Sequence, residues 1–196
     1  QFHRGQEGDA WRGQVNDPPV GEAIGRNADG ARASRQDRVN RQFMQREIDQ
    51  PQAKTFEAGI DFIRRNHDAD NWFLHLETFD PHEPFDTPAP WAGRYEDAPW
   101  DDEWIIWPPY ADGAISRGQL TEGEGRHIRA NYGAKLSMIV LWFGRVLDAF
   151  DKGGLWDDTA LVVCTDHGHY LGDERDGRAI WGKPNVPQFE PLGHTP

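Results

Sequence analysis

Thr165-Asp166-His167-Gly168-His169-Tyr170-Leu171-Gly172 follows directly on the apolar run Ala160-Leu161-Val162-Val163-Cys164. An apolar run of strand length that ends in Asp-His reads as a buried strand delivering two metal ligands at its C-terminal end. Open α/β sheets place their chemistry there. A carboxylate oxygen beside an imidazole nitrogen suits a hard or borderline divalent cation. Gly168 lets the backbone turn sharply or approach a ligand closely. A plainer reading also stands for the pair by itself: Asp166 caps the next element and His167 is a surface histidine, because a dipeptide carries little specificity.

Upstream, Thr121-Glu122-Gly123-Glu124 fits a capping box. Ile128, Tyr132, Leu136, Ile139, Phe143, Val146, Leu147 and Phe150 follow at helical spacing, and Gly153-Gly154 stops the run. The spacing predicts a long helix that packs its apolar stripe on a sheet and crosses between two parallel strands. Trp72–Glu77 and Ala160–Thr165 are those strands, and His75, inside the first, reads as a core histidine. Pro51 can sit in a first helical turn, with Phe56, Ile60 and Ile63 on one face, so a helix from Pro51 to Asn66 is predicted.

Residues 80–118 hold Pro81, Pro84, Pro88, Pro90, Pro99, Pro108 and Pro109 beside Trp91, Trp100, Trp104 and Trp107. Proline at that density opposes regular structure and predicts a long packed loop. Its tryptophans either pin the loop to the body or line a cleft. Residues 1–49 are polar and loop-rich, and Arg32, Arg35, Arg38, Arg41 and Arg46 recur there as a solvated face or an anion-binding patch.

A length of 196 residues fits one domain or part of a large α/β domain, and 37% hydrophobic residues supply a modest core. The 21 glycines and 14 prolines imply much loop. A net charge of −12 argues against nucleic acid or an anionic membrane as partner, since both require a basic surface. An anionic substrate stays compatible, because a site can be locally positive. One cysteine, Cys164, excludes an internal disulfide. No apolar run approaches transmembrane length, and localisation is left open.

Asp166-His167-Gly168-His169-Tyr170-Leu171-Gly172-Asp173, followed by Trp181-Gly182-Lys183-Pro184, resembles the C-terminal metal-binding segment of the sulfatase family in the alkaline phosphatase superfamily. Three further stretches agree in the same order. Arg4-Gly5-Gln6-Glu7 looks like an early block of many sulfatases. Phe73-Leu74-His75-Leu76 leading to Asp80-Pro81-His82-Glu83-Pro84-Phe85 looks like the family's strand and Asp-Pro-His-x-Pro loop. Tyr132 through Leu147, then Gly154-Leu155-Trp156-Asp157-Asp158-Thr159, looks like its long helix and the turn beyond.

The resemblance implies an α/β fold, part of an alkaline-phosphatase-like sandwich with a mostly parallel sheet flanked by helices. On that basis 1–196 is a partial catalytic domain: 1–49 loop-rich, 50–79 helix and strand, 80–118 the Pro/Trp loop, 119–196 the long helix, strand and metal-binding segment. It implies hydrolysis of a sulfate ester, on a small molecule or a polysaccharide, with Asp166 and His167 on a divalent metal ion. Calcium is the usual ion, with Asn in the second position. His167 in its place resembles phosphonate monoester and phosphodiester hydrolases, and imidazole favours manganese, zinc or iron. His82 matches the histidine facing the anion or leaving group, Lys183 the lysine on the anion's oxygens, and His169 a cleft-wall or supporting residue. Sulfatases also carry a Cys-x-Pro-x-Arg or Ser-x-Pro-x-Arg block whose Cys or Ser becomes the formylglycine nucleophile. Neither occurs here, so the chain reads as an interior piece holding half a site and inactive alone, or as a noncatalytic piece that lacks the nucleophile and binds metal weakly or not at all. Many sulfatases have Asp where this helix has Val140.

Overall fold

The computed structural model of the chain describes residues 24–25, 39, 41–102 and 104–193. Arg4–Glu7, Arg32, Arg35 and Arg38 fall outside them. Helix α1 (Pro51–Asn66) begins with proline at the position where a missing N–H costs nothing, as the sequence predicts. Helix α2 (Glu122–Gly153) is closed by the expected capping box. Thr121 Oγ1 accepts from the Glu124 backbone N–H at 3.1 Å, and the Glu124 carboxylate accepts from the Thr121 N–H at 2.7 Å. Gly154, left-handed at φ 64°, ends it.

The two helices share one core, in which Ala53, Phe56, Ile60 and Ile63 meet Ala134, Met138, Trp142, Val146 and Phe150. The buried face of α2 is therefore rotated from the predicted stripe. Leu136 is exposed and Tyr132, Ile139, Phe143 and Leu147 half-buried, while Asn131 and Lys135 are inside. Polar residues displace apolar ones because this stretch of the helix faces a loop full of carbonyls and carboxylates.

Strand β1 (Ile24–Gly25) pairs in parallel with β2 (Ile105–Trp107). Strands β3 (Ala111–Asp112), β4 (Tyr170–Arg175) and β5 (Arg178–Gly182) form an antiparallel sheet in the order β3-β5-β4. Asp176 and Gly177, at φ 51° and 74°, make the two-residue turn between β4 and β5, where Asp-Gly suits a hairpin. A second core of Phe85, Ile105, Ala114, Leu120, Ile128 and Trp181 joins this sheet to α2, and a short helix α3 (Glu190–Gly193) follows.

Two short strands thus lie within 80–118, where none was expected. Their residues Ile105–Trp107 and Ala111–Asp112 lie between or beyond the prolines and keep their own N–H groups. The tryptophans pin the loop. Trp91 donates to Glu47 at 2.8 Å, and Trp100 stacks on buried His127 at 4.1 Å.

The mostly parallel sheet is not seen among the described residues, where β1–β2 is the one parallel pairing. Neither Trp72–Glu77 nor Ala160–Thr165 joins a ladder. Trp72, Leu74 and Leu76 pack on the helical core, with Leu76 lying where a Cβ on Gly59 of α1 would be 2.6 Å from it. Their alternate neighbours face outward, Phe73 being 87% exposed, while in the second segment Val162 and the adjacent Val163 are both exposed. His75 is likewise outside, 3.7 Å from Glu77, and is no core histidine. In Trp72–Glu77 period-2 alternation sends every second side chain to solvent, whereas in Ala160–Thr165 Leu161 alone is half-buried and its neighbours on both sides are exposed.

Thr121→Ala is expected to lower the unfolding free energy by about 1 kcal/mol through loss of the cap. Gly182→Ala should cost more, since φ is 71° and a Cβ would stand 2.8 Å from the Pro109 carbonyl oxygen. Denaturant titration of both variants checks the order.

Candidate active site

The segment 80–85 is tied at each end. Lys135, 1% exposed on α2, bonds Asp80 at 2.9 Å and donates to the Pro84 carbonyl at 2.8 Å. The Phe85 N–H donates to Ile106 O of β2 at 2.7 Å. Burial works against the charge of Asp80 and raises its pKa, although Lys135 opposes this. The loop between these anchors presents His82 and Glu83, with the His82 ring 4.3 Å from that of Phe79.

Lys183 arrives from the other direction. β5 lies between β3 and β4, and Gly182 at its end turns with positive φ against Pro109 and Tyr110. The Lys183 ammonium then donates to His82 Nε2 at 2.9 Å, across 101 residues of sequence. His169, just before β4, closes the third side. Its ring meets Phe85 edge-on at 5.4 Å.

At the centre stands Glu83, fully buried. Its Oε1 is 3.4 Å from Lys183 Nζ, and its Oε2 lies 3.3 Å from His82 Nδ1 and 3.6 Å from His169 Nδ1. Nothing in its local sequence singles Glu83 out. A glutamate inside a proline-bracketed loop looks solvated, and only the fold reveals that it is enclosed. The same holds for Lys135.

Burial pulls the His169 pKa down to about 4, against the attraction of Glu83. His82 is lowered too, first by burial and then by Lys183 and Lys135, while Glu83 again opposes. Both rings are neutral near pH 7. His82 Nδ1 lies 2.7 Å from the Glu83 carbonyl and so carries the proton, leaving the Nε2 lone pair for Lys183.

Asp166 and His167 stand at the exposed rim, ahead of His169, and His167 is near enough for its charge to act on His169. His167 Nδ1 donates to Gly168 O at 2.8 Å, which fixes the tautomer and frees Nε2. That nitrogen lies 3.5 Å from Asp166 Oδ2. Two lone-pair atoms facing each other at this range are reconciled by a proton or by a shared cation. The pair therefore fits as part of a metal's ligand set. Among the described residues no group of three His, Cys, Asp or Glu side chains is gathered for a metal.

The Sulfatase family model matches residues 6–189. The chain belongs to the sulfatase family, whose members share an alkaline-phosphatase-like α/β fold, are hydrolases and are generally metal-dependent. It is similar to the multifunctional alkaline phosphatase superfamily protein PehA of Trinickia caryophylli, 36% identical over 131 residues, covering 56% of this chain and 26% of that protein. An arylsulfatase of Clostridium perfringens is 27% identical over 146 residues, covering 66% and 29%. A choline-sulfatase of Rhizobium meliloti is 26% identical over 140 residues, covering 64% and 25%. The matched part thus spans about a quarter of the length of these relatives. No solved structure matches.

Lys135→Met would strand the Asp80 carboxylate in a buried place. Stability should fall by about 3–5 kcal/mol, and Asp80→Asn in the same chain should restore part of it. Urea titration of single and double variants is the check, and equal stability of Lys135→Met and wild type would mean that the pair does not anchor the loop.

Proposed function

We propose that this chain forms part of the catalytic domain of a metal-dependent sulfatase that hydrolyses sulfate esters. The observation that carries this is the meeting of Lys183 and His82 at 2.9 Å from segments 101 residues apart. A solvated lysine and a loop histidine have no reason to converge. A tetrahedral anion with a departing oxygen needs a cation and a proton-handling group side by side.

In this proposal Lys183 takes an ester oxygen of the anion, and His82 Nε2 handles the proton of the leaving oxygen. His169 walls the pocket and offers a buried Nε2 with no hydrogen-bond partner among the described residues. Asp166 and His167 hold the divalent ion, which when bound would polarise the ester and gather negative charge. The nucleophile would be a formylglycine, for which these 196 residues hold no Cys-x-Pro-x-Arg or Ser-x-Pro-x-Arg block, and the 196-residue chain alone would then show no turnover.

A second reading, hydrolysis of phosphonate monoesters or phosphodiesters, is favoured by His167. Imidazole suits manganese, zinc or iron better than calcium. A relative 36% identical is described as a multifunctional alkaline phosphatase superfamily protein, which is compatible with either ester. Small aryl esters and sulfated polysaccharides are both open as substrates.

The test uses the full-length protein with an aryl sulfate, an aryl phosphonate monoester and a bis-aryl phosphate, alongside metal analysis. Higher kcat/KM on the sulfate supports the first proposal, and the reverse order supports the second. Asp166→Ala should lose metal and most activity. Lys183→Ala should keep the metal and lose about 100-fold or more in kcat/KM. Equal metal content and equal turnover in both variants would defeat both proposals.

A further inference from the structure

Glu83 is a buried charge at this site that neither anchors the loop through a short ion pair nor enters the chemistry above. A carboxylate enclosed without close partners is costly, and a glutamate with only a loop to decorate would point to solvent. Here it is fully buried, and neither oxygen has a hydrogen-bond partner among the described residues. Instead three nitrogens ring it at 3.3, 3.4 and 3.6 Å. Structural carboxylates in protein interiors are normally fastened by short hydrogen bonds. A charge held at ion-pair range from two groups that face the substrate acts on their protons.

We propose that Glu83 is a positioning residue for the His82–Lys183 pair, holding the two together and sustaining the protonated form of His82 when an anion draws Lys183 away. The inference rests on the proposed role of that pair in handling the ester. In the resting site the Lys183 ammonium faces His82 Nε2 and disfavours a second proton on the ring. Once the ammonium turns to an oxygen of the substrate, that opposition weakens, and the charges of Glu83 and the anion both favour imidazolium. His82 then takes up a proton from water on Nε2 and gives it to the leaving oxygen as that oxygen's bond to sulfur or phosphorus breaks. Binding and acid catalysis are coupled through one buried charge.

The other ionisable groups facing His82 are Asp80 from its own loop, Lys135 from α2, Lys183 beyond β5 and His169 ahead of β4. All of them persist when Glu83 alone is changed. Asp80 and Lys135 offset one another through their 2.9 Å ion pair.

The experiment compares full-length wild type, Glu83→Asp and Glu83→Gln. Two quantities are read: the His82 titration midpoint, by NMR of labelled histidine assigned with His82→Gln, and the pH profile of kcat on the better ester. Glu83 favours imidazolium, so its neutralisation should lower the midpoint by about one unit in Glu83→Gln. The kcat profile should move the same way, with kcat down about 10-fold. Glu83→Asp should fall between and carries the test if the glutamine variant does not fold. An unchanged midpoint and profile, with activity lost only in proportion to unfolded protein, overturns the inference and leaves Glu83 a packing residue. A protein that hydrolyses neither ester, yet whose midpoint drops in Glu83→Gln, overturns the functional proposal while leaving the hold of Glu83 on His82 in place.

Discussion

Lys135 lies midway along α2 with its ammonium buried, and the geometry of the site depends on what it grips. One end of the bonded span is the Asp80 carboxylate at 2.9 Å, the other the Pro84 carbonyl at 2.8 Å. The residues between have no ladder to hold them, and a loop so placed would ordinarily sample many conformations. Fastened at both ends to a helix that is itself capped and packed, it cannot. Moving an ammonium out of water costs several kcal/mol, and only close partners offset it. The same requirement makes the anchor specific, because any other arrangement of the loop leaves Lys135 without them.

Asn131 and His127 extend this anchoring one and two turns earlier on α2. His127 Nε2 accepts the Ile105 N–H at 3.1 Å, Asn131 donates to Ile105 O at 2.9 Å, and His127 Nδ1 meets Glu96 at 2.5 Å. Strand β2 is thereby fixed on the helix, and β2 in turn receives the Phe85 N–H. One face of α2 thus serves loop and strand with polar contacts, while its later turns serve α1 with apolar ones. At this spot Lys183 and Lys135 offset Glu83 and Asp80, so these four side chains add nothing to the net charge of −12 that an anionic substrate would meet.

The helices were legible because their signals are local. Pro51, the Thr121 box and Gly154 act within a turn of themselves, and apolar spacing names the element if not its exact buried face. His82 and Lys183 were legible through the resemblance of their motifs, while their meeting belongs to the fold. Glu83, Lys135 and His127 were not, since a charged or polar residue reads as solvated until the chain shows what encloses it. The two expected parallel strands do not show a ladder among the described residues. Trp72–Glu77 and Ala160–Thr165 have the β-branched and aromatic residues of buried strands, but ladder pairing is a property of neighbours. Among the described residues those neighbours are helices on one side.

The opening stretch, Thr165 to Gly172, combines both kinds of information. In an extended segment alternate side chains share a side, so His167 and His169 go together and Asp166 should oppose them. The backbone bends at Asp166, and its Oδ1 accepts the His167 N–H at 2.8 Å. That local bond breaks the alternation and brings Asp166 Oδ2 to 3.5 Å from His167 Nε2. Beyond the bend His169 enters the enclosure around Glu83 and Tyr170 begins β4, whose partner β5 delivers Lys183. A few consecutive residues therefore set a rim pair suited to a cation and a buried wall beside the lysine and histidine. The bend at a single aspartate thereby sorts these side chains between solvent and interior without a paired strand before it.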